Sequence, residues 1–102
     1  MKLQEIKKLT ILELGVDINI KSRAREVVFA RAVYYKLCRE FTKQPLSAIG
    51  REVGKDHATV LYGINLFDNV VCEFEIEYVK AYDRIKLVIM NTDSDKEKYL
   101  SP

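Results

Sequence analysis

The chain has 102 residues and a net charge of +2, with 48% hydrophobic and 31% charged residues. This length allows one hydrophobic core and leaves no room for a second independent unit. No stretch reaches membrane-spanning length, and the amino-terminal residues lack the apolar run of a secretory signal, so we expect a cytoplasmic protein. Cys38 and Cys72 have no metal-ligand spacing and are expected to be free thiols. We predict one helical domain over residues 1–90 and a polar tail over residues 91–102.

The first predicted element is a short amphipathic helix. Its apolar residues recur at helical spacing from Leu3 to Leu14, and Gly15 suits its C-cap. Residues 16–20 then alternate between apolar and polar. Because a single strand would have no partner in this chain, we predict an extended connector whose apolar side packs on the core.

Residues 21–25 form a basic loop, and the longest helix is predicted to follow it, from about Ala24 to Phe41. Ser22 is a candidate N-cap for that helix, with Glu26 close to the capping-box position. Arg31 is expected to lie outside the buried stripe. That stripe is expected to consist of Val27, Ala30, Tyr34, Leu37, Cys38 and Phe41.

Residues 46–63 predict two helices joined by a short turn. Apolar residues repeat at helical spacing from Leu46 to Val53, Gly54 ends that repeat, and a second apolar set follows three polar residues. Asp56 suits the N-cap of the second helix, because its carboxylate can accept the backbone N–H of Thr59. A short, polar helix start after such a turn is typical of a helix that enters the major groove of DNA.

The flanks of this helix pair add two further expectations. Pro45 fits the first position of the first helix, so the backbone N–H groups of Leu46 and Ser47 lack helical partners and suit either a phosphate or water. The second helix is predicted to run to about Val70. Gly63 in its interior predicts a close helix crossing, because glycine is otherwise unfavourable there.

Basic residues are concentrated in the middle of the chain. Residues 21–57 carry nine Lys and Arg against four Asp and Glu, whereas residues 58–102 carry five against eight. An excess of this kind is the electrostatic signature of a nucleic-acid surface. Ordinary solvated surfaces also carry short charge clusters, so this signal depends on the motif beside it.

Three motifs occur in a fixed order within residues 16–67. Lys-Ser-Arg-Ala-Arg stands at 21–25, Ala-Arg-Ala at 30–32, and Gly-Lys-Asp-His-Ala-Thr-Val-Leu at 54–61. Together they resemble the C-terminal DNA-binding domain (domain IV) of the bacterial chromosomal replication initiator DnaA. The family pattern there is Gly-Gly-Arg-Asp-His-Thr-Thr-Val, after a Ser-Lys-x-Arg loop and a helix containing Ala-Arg-Gln. The resemblance implies an all-α domain of about five helices that contains a helix-turn-helix.

The resemblance also implies sequence-specific binding of double-stranded DNA at a short A·T-rich site similar to a DnaA box. Base contacts are expected from Asp56, His57 and Ala58 in the major groove, and from Arg23 in the minor groove. Ala58 stands where the family usually has threonine, so the preferred sequence can differ. Phosphate contacts are expected at Lys21, Arg25, Arg31, Leu46, Ser47, Lys55 and Thr59.

No enzyme is expected. The chain has one histidine, no Cys-His metal spacing, and neither a nucleophile-elbow nor a phosphate-loop motif, so we predict no catalytic residue, metal or cofactor. Because these motifs are absent, we also expect the protein to lack the ATPase module of the initiator. We therefore expect a stand-alone DnaA-like protein, encoded by a bacterium, a phage or a mobile element, that acts in replication or transcription.

A different class of function stays open from the sequence. A last helix is predicted to begin within residues 73–77 and to carry Glu73, Glu75 and Glu77. A protein-interaction adaptor that kept the fold would use this acidic helix and the polar tail to bind a protein partner. The two functions are compatible in one molecule.

Overall fold

The computed structural model describes the backbone of residues 1–100 and the side chains of residues 1–92. Its helices are α1 (Leu3–Leu14), α2 (Arg25–Phe41), α3 (Leu46–Arg51), α4 (His57–Leu66), α5 (Cys72–Phe74) and α6 (Ile76–Leu100), with a π-helical turn at Phe67–Val71 between α4 and α5. The described part of the chain contains no strand. Since α4, the π turn and α5 follow one another without a break, there are five helical units, which confirms the all-α prediction.

Helix α2 is the centre of the fold and packs against α1, α3, α4 and α6. The predicted stripe of α2 is buried except for Phe41, which is half-buried at the edge of the core. The burial is wider than one stripe, because neighbouring helices cover α2 on several sides. The additional buried residues of this helix are Phe29, Arg31, Ala32, Val33 and Tyr35.

The first helix is as predicted, whereas the prediction of an extended connector was wrong and, of its apolar residues, Val16 is half-buried and Ile20 is exposed. Gly15 adopts a left-handed conformation with φ 66°, and its N–H donates to the carbonyl oxygen of Ile11 at 2.8 Å. The connector forms a turn, not a strand, and Ile18 within it is fully buried in the core. This one side chain fixes the path of the chain into the basic loop.

The start of α2 differs from the prediction. Its N-cap is Ala24, which has no side-chain oxygen, and Ser22 does not cap the helix. The Oγ of Ser22 instead accepts the backbone N–H of Ala24 at 3.1 Å, which forms a local turn within the loop. The predicted capping box of Ser22 and Glu26 was therefore wrong, because the Ser22 hydroxyl bonds to Ala24 and not to a backbone N–H in the first turn of α2.

The helix-turn-helix consists of α3, residues 52–56 and α4. Pro45 lies at the N-cap of α3, one residue before the predicted position. The hydroxyl of Tyr34 donates to the carbonyl oxygen of Ile49 at 2.9 Å and ties α3 to α2. Gly54 has φ 70°, a left-handed conformation that lets the chain reverse between the two helices.

Helix α4 crosses α2 closely at Gly63, as predicted. A Cβ at this position would overlap the ring of Tyr35, so the glycine lets the two helices approach. Helix α4 ends at Leu66, four residues before the predicted end, and the π turn continues it. That turn buries both Phe67 and Val71.

We expect Gly63→Ala to destabilise the protein by about 1–2 kcal/mol. Alanine in place of glycine normally stabilises a helix interior by about 1 kcal/mol, but a Cβ less than 3.0 Å from two Tyr35 ring carbons places the overpacking cost in the upper part of its usual range, about 2–3 kcal/mol. Urea denaturation measures the difference. Asn65→Ala, at an exposed position of the same helix, is the control. A Gly63→Ala protein as stable as wild type would contradict the close crossing.

The last helix begins at Ile76, within the predicted window, and extends to Leu100. At 25 residues it is longer than α2 with 17, so the prediction that α2 is the longest helix was wrong. The predicted polar tail at residues 91–102 thus starts inside α6, and its last two residues lie outside the described residues. The division of the chain at residue 90 stays a prediction.

Candidate nucleic-acid interface

Asp56 begins α4 in the predicted way. Its Oδ1 accepts the backbone N–H of Thr59 at 2.9 Å and the Thr59 hydroxyl at 2.8 Å. The Thr59 N–H is the main cause that holds the pKa of the Asp56 carboxyl below its usual range. The charged cap therefore stabilises the helix start above the unfolded-state pKa of about 4 and loses its effect as the pH falls through the lower folded-state pKa.

The first turn of α4 is open to a ligand. His57 and Ala58 are exposed, as are Asp56 and Thr59 on either side of them. Both hydrogen bonds to Asp56 use Oδ1, so its second carboxylate oxygen can accept from another donor. A base amino group is such a donor. The Thr59 hydroxyl, by contrast, already donates to Asp56 and would have to rotate to contact a phosphate.

A buried arginine holds the basic loop in place. Arg31 is 5% exposed, and its guanidinium points to three carbonyl groups of the connector and loop. Nε donates to the oxygen of Ile18 at 3.0 Å and Nη1 to that of Ser22 at 3.0 Å, while Nη2 donates to that of Ile20. The planar five-donor guanidinium suits three acceptors in this arrangement. Arg31 thus orders the segment that carries Lys21 and Arg23.

The expectation that Arg31 lies off the buried stripe was wrong. The reason is that carbonyl groups 9 to 13 residues earlier in the chain cover its side chain. Its predicted contact with a phosphate stays a prediction, and the bonds to the loop give the guanidinium a different role in the free protein.

Two grooves bring the basic loop against the helix-turn-helix. The first, of about 460 Å³, has residues 19–23 on one wall and residues 52–55 on the other. The second, of about 280 Å³, lies between the same loop and α4. Arg23 and Lys55 line both grooves. The structure therefore places the predicted minor-groove arginine beside the start of the predicted recognition helix.

Other predicted contacts lie elsewhere or stay untested. Arg25 pairs with the carboxylate of Glu75 and lies 5.1 Å from the centre of the Phe29 ring, so it lines neither groove. The N–H groups of Leu46 and Ser47 have no hydrogen-bond partner among the described residues. The phosphate contacts assigned to these three residues remain predictions.

Two tyrosines on the second groove were missed as candidates. Tyr62 is 67% exposed and follows Thr59 by one helical turn, so the spacing was a usable signal. Tyr35 is 2% exposed and also lines this groove, although its side chain belongs to the core of α2. They were missed because the periodicity of apolar residues indicates that both tyrosines are packing residues.

An exposed polar helix start, a preceding tight turn and an ordered basic loop on the same surface define a helix-turn-helix DNA-binding domain. The family described as "Bacterial dnaA protein helix-turn-helix" matches residues 4–66. The chain belongs to this family. Members of this family are DNA-binding domains, and the domain itself is not catalytic.

Curated relatives agree with this assignment. The chromosomal replication initiator protein DnaA of Borrelia garinii is 39% identical over 72 residues, which cover 67% of this chain and 15% of that protein. The protein of the same name from Streptococcus pyogenes is 38% identical over 72 residues, covering 65% of this chain and 16% of that protein. The chain thus spans about a sixth of the length of these relatives. No solved structure matches it significantly.

No group of three or more His, Cys, Asp or Glu side chains in the part of the chain that the structure describes is arranged to hold a metal ion. None of its helices is both long and apolar enough to cross a membrane.

Proposed function

We propose that this protein binds a short A·T-rich duplex, similar to a DnaA box, in a sequence-specific way. The first turn of α4 enters the major groove, and Arg23 of the basic loop enters the adjacent minor groove. The observation that carries the proposal is that Arg23 and Lys55 line both grooves. The basic loop therefore lies beside the start of α4. A narrow minor groove in A·T-rich sequence attracts an arginine held at this position.

The bases are read by the residues at the head of α4. Asp56 accepts from the amino group of cytosine or adenine with its free carboxylate oxygen, and His57 donates to the neighbouring base. Ala58 packs on a thymine methyl group. All three are exposed, which supports this assignment. Arg31 acts indirectly, because it fixes the loop from which Arg23 extends.

Phosphate binding in this proposal rests on the cations of the loop and turn, Lys21, Arg23 and Lys55. We expect a plot of log affinity against log salt concentration to have a slope of about −3, since each neutralised phosphate contributes about −0.9. Selection from randomised duplexes first identifies the preferred site. Fluorescence anisotropy with that duplex and a scrambled one, across a salt series, then gives the slope and the specificity.

The test variant for the salt series is Lys55→Ala, which should reduce the magnitude of the slope by about one. Lys80→Ala, at an exposed position on α6, should leave it unchanged. Equal affinity for the selected and scrambled duplexes would remove the claim of sequence specificity.

We infer that the biological role is one in replication or transcription at DnaA-like sites. In this proposal the exposed start of α4 and the basic loop occupy DNA without an ATP-driven remodelling step. Such a protein regulates a promoter, assists initiation or competes with the initiator for its sites.

A protein partner on the carboxyl-terminal side is a second proposed function. Phe74 and Ile76 are 71% and 63% exposed at the junction of α5 and α6, between the acidic residues Glu73 and Glu77. Exposed apolar groups with a polar surround are typical of protein contacts. An adaptor that works only through this surface would keep its activity when Arg23 and His57 are both replaced.

A further inference from the structure

The groove between the basic loop and α4 is lined by a buried tyrosine to which the proposed function assigns no role. Arg23, Lys55 and Thr59 are at least partly exposed and form the rim of the groove, whereas the buried Arg31, Tyr35 and Gly63 form its floor. The missing side chain at Gly63 is what lets the Tyr35 ring lie directly under α4. The buried tyrosine thus lines the same groove as the positively charged side chains of Arg23 and Lys55.

The hydroxyl of Tyr35 is buried and has no hydrogen-bond partner among the described residues. Leaving a buried hydroxyl unpaired costs about 1–3 kcal/mol. Tyr35 lines the groove together with Arg31 below the loop and Thr59 on α4, so its side chain lies between the anchored loop and the start of α4. Burial raises the pKa of Tyr35 to about 12, so the phenol keeps its proton and can donate it.

The docking geometry says which part of DNA lies over this groove. If the loop enters a minor groove and α4 enters the adjacent major groove, the sugar-phosphate strand that separates the two must pass between loop and helix. The space between them is the groove above Tyr35. Arg23 and Lys55 on its rim supply the positive charge that a phosphate needs.

We propose that the Tyr35 hydroxyl donates a hydrogen bond to a non-bridging oxygen of one phosphate on that strand. The inference rests on the proposed function and adds a neutral donor to its cationic contacts. The rim side chains turn towards the phosphates on binding and uncover the hydroxyl. The free protein therefore keeps an unsatisfied donor that only bound DNA pairs.

The test is Tyr35→Phe, for which stability and DNA affinity should change in different directions. We expect the denaturation midpoint to stay the same or rise, because an unpaired buried hydroxyl is removed. Affinity for the selected duplex should fall about ten- to hundredfold, since a hydrogen bond to a charged acceptor is lost. The slope of the salt dependence should not change, because no charge is removed.

Tyr34→Phe is the matched control, because the neighbouring hydroxyl bonds to the Ile49 carbonyl inside the core. This variant should lose stability and keep its DNA affinity while folded. A scan of duplexes with single methylphosphonate linkages then locates the contact. At one linkage the neutral replacement should weaken wild type and have a much smaller effect on Tyr35→Phe.

The outcomes separate the two proposals. Wild type that binds the selected duplex no better than a scrambled one overturns both. Wild type that discriminates, with Tyr35→Phe of equal affinity or with no linkage that couples to it, overturns the Tyr35 contact alone.

Discussion

Replacing Arg31 with alanine is expected to lower the free energy of unfolding by about 3 kcal/mol. The change leaves three carbonyl groups of the connector and loop without their donor, and each such loss costs about 1 kcal/mol or more. The loop that carries Arg23 should loosen at the same time, so affinity for the selected duplex falls as well. Urea denaturation measures the first effect and anisotropy the second.

Two variants define what the Arg31 result means. Arg31→Lys keeps the charge but cannot reach three acceptors in one plane, so its free energy of unfolding should fall by most of the amount expected for Arg31→Ala. Arg39→Ala, at an exposed position of the same helix, should change stability by no more than about 0.5 kcal/mol. If Arg31 instead served mainly as a phosphate contact, alanine would leave stability unchanged and reduce the salt slope by about one.

Replacing Arg23 and His57 together with alanine should abolish most of the preference for the selected duplex. Each base contact contributes about 1–3 kcal/mol of discrimination, so the pair accounts for about 2–6 kcal/mol between selected and scrambled sequences. Because both side chains are exposed, the denaturation midpoint should stay close to that of wild type. The measurement is the ratio of the two dissociation constants at one salt concentration.

The single variants show how the two grooves of DNA contribute. Arg23→Ala should weaken the preference for A·T-rich flanks, whereas His57→Ala should relax the requirement at one base pair. Lys80→Ala on α6 is the control for a lost exposed side chain. A double variant that still discriminates as wild type does would contradict the docking mode and favour the adaptor function.

Local patterns predicted the helix-turn-helix well because its signals lie within a few residues of one another. Asp56 caps α4 through Thr59, three residues on, and Gly15 ends α1 through Ile11, four residues back. Such contacts depend only on the residue type and the backbone geometry within one helical turn. The exposed first turn of α4 followed from the same local pattern.

The features that sequence reasoning missed depend on contacts between distant segments. Arg31 looked exposed because nothing near it in sequence shows that the carbonyl groups of Ile18 and Ser22 will cover it. The π turn at Phe67–Val71 adds a residue to one helical turn and so changes the helical spacing, which explains why the predicted end of α4 near Val70 was wrong. Tyr35 lines the groove only because α4 carries a glycine opposite its ring.

The burial of Arg31 also affects the rate at which DNA associates with the protein. A guanidinium fixed behind the loop adds to the long-range potential that draws a polyanion in, so it contributes to the association rate. As long as it stays bonded to carbonyl groups it displaces no counterion from the duplex. The association rate of Arg31→Ala should therefore fall below that of wild type by a larger factor at low salt than at high salt.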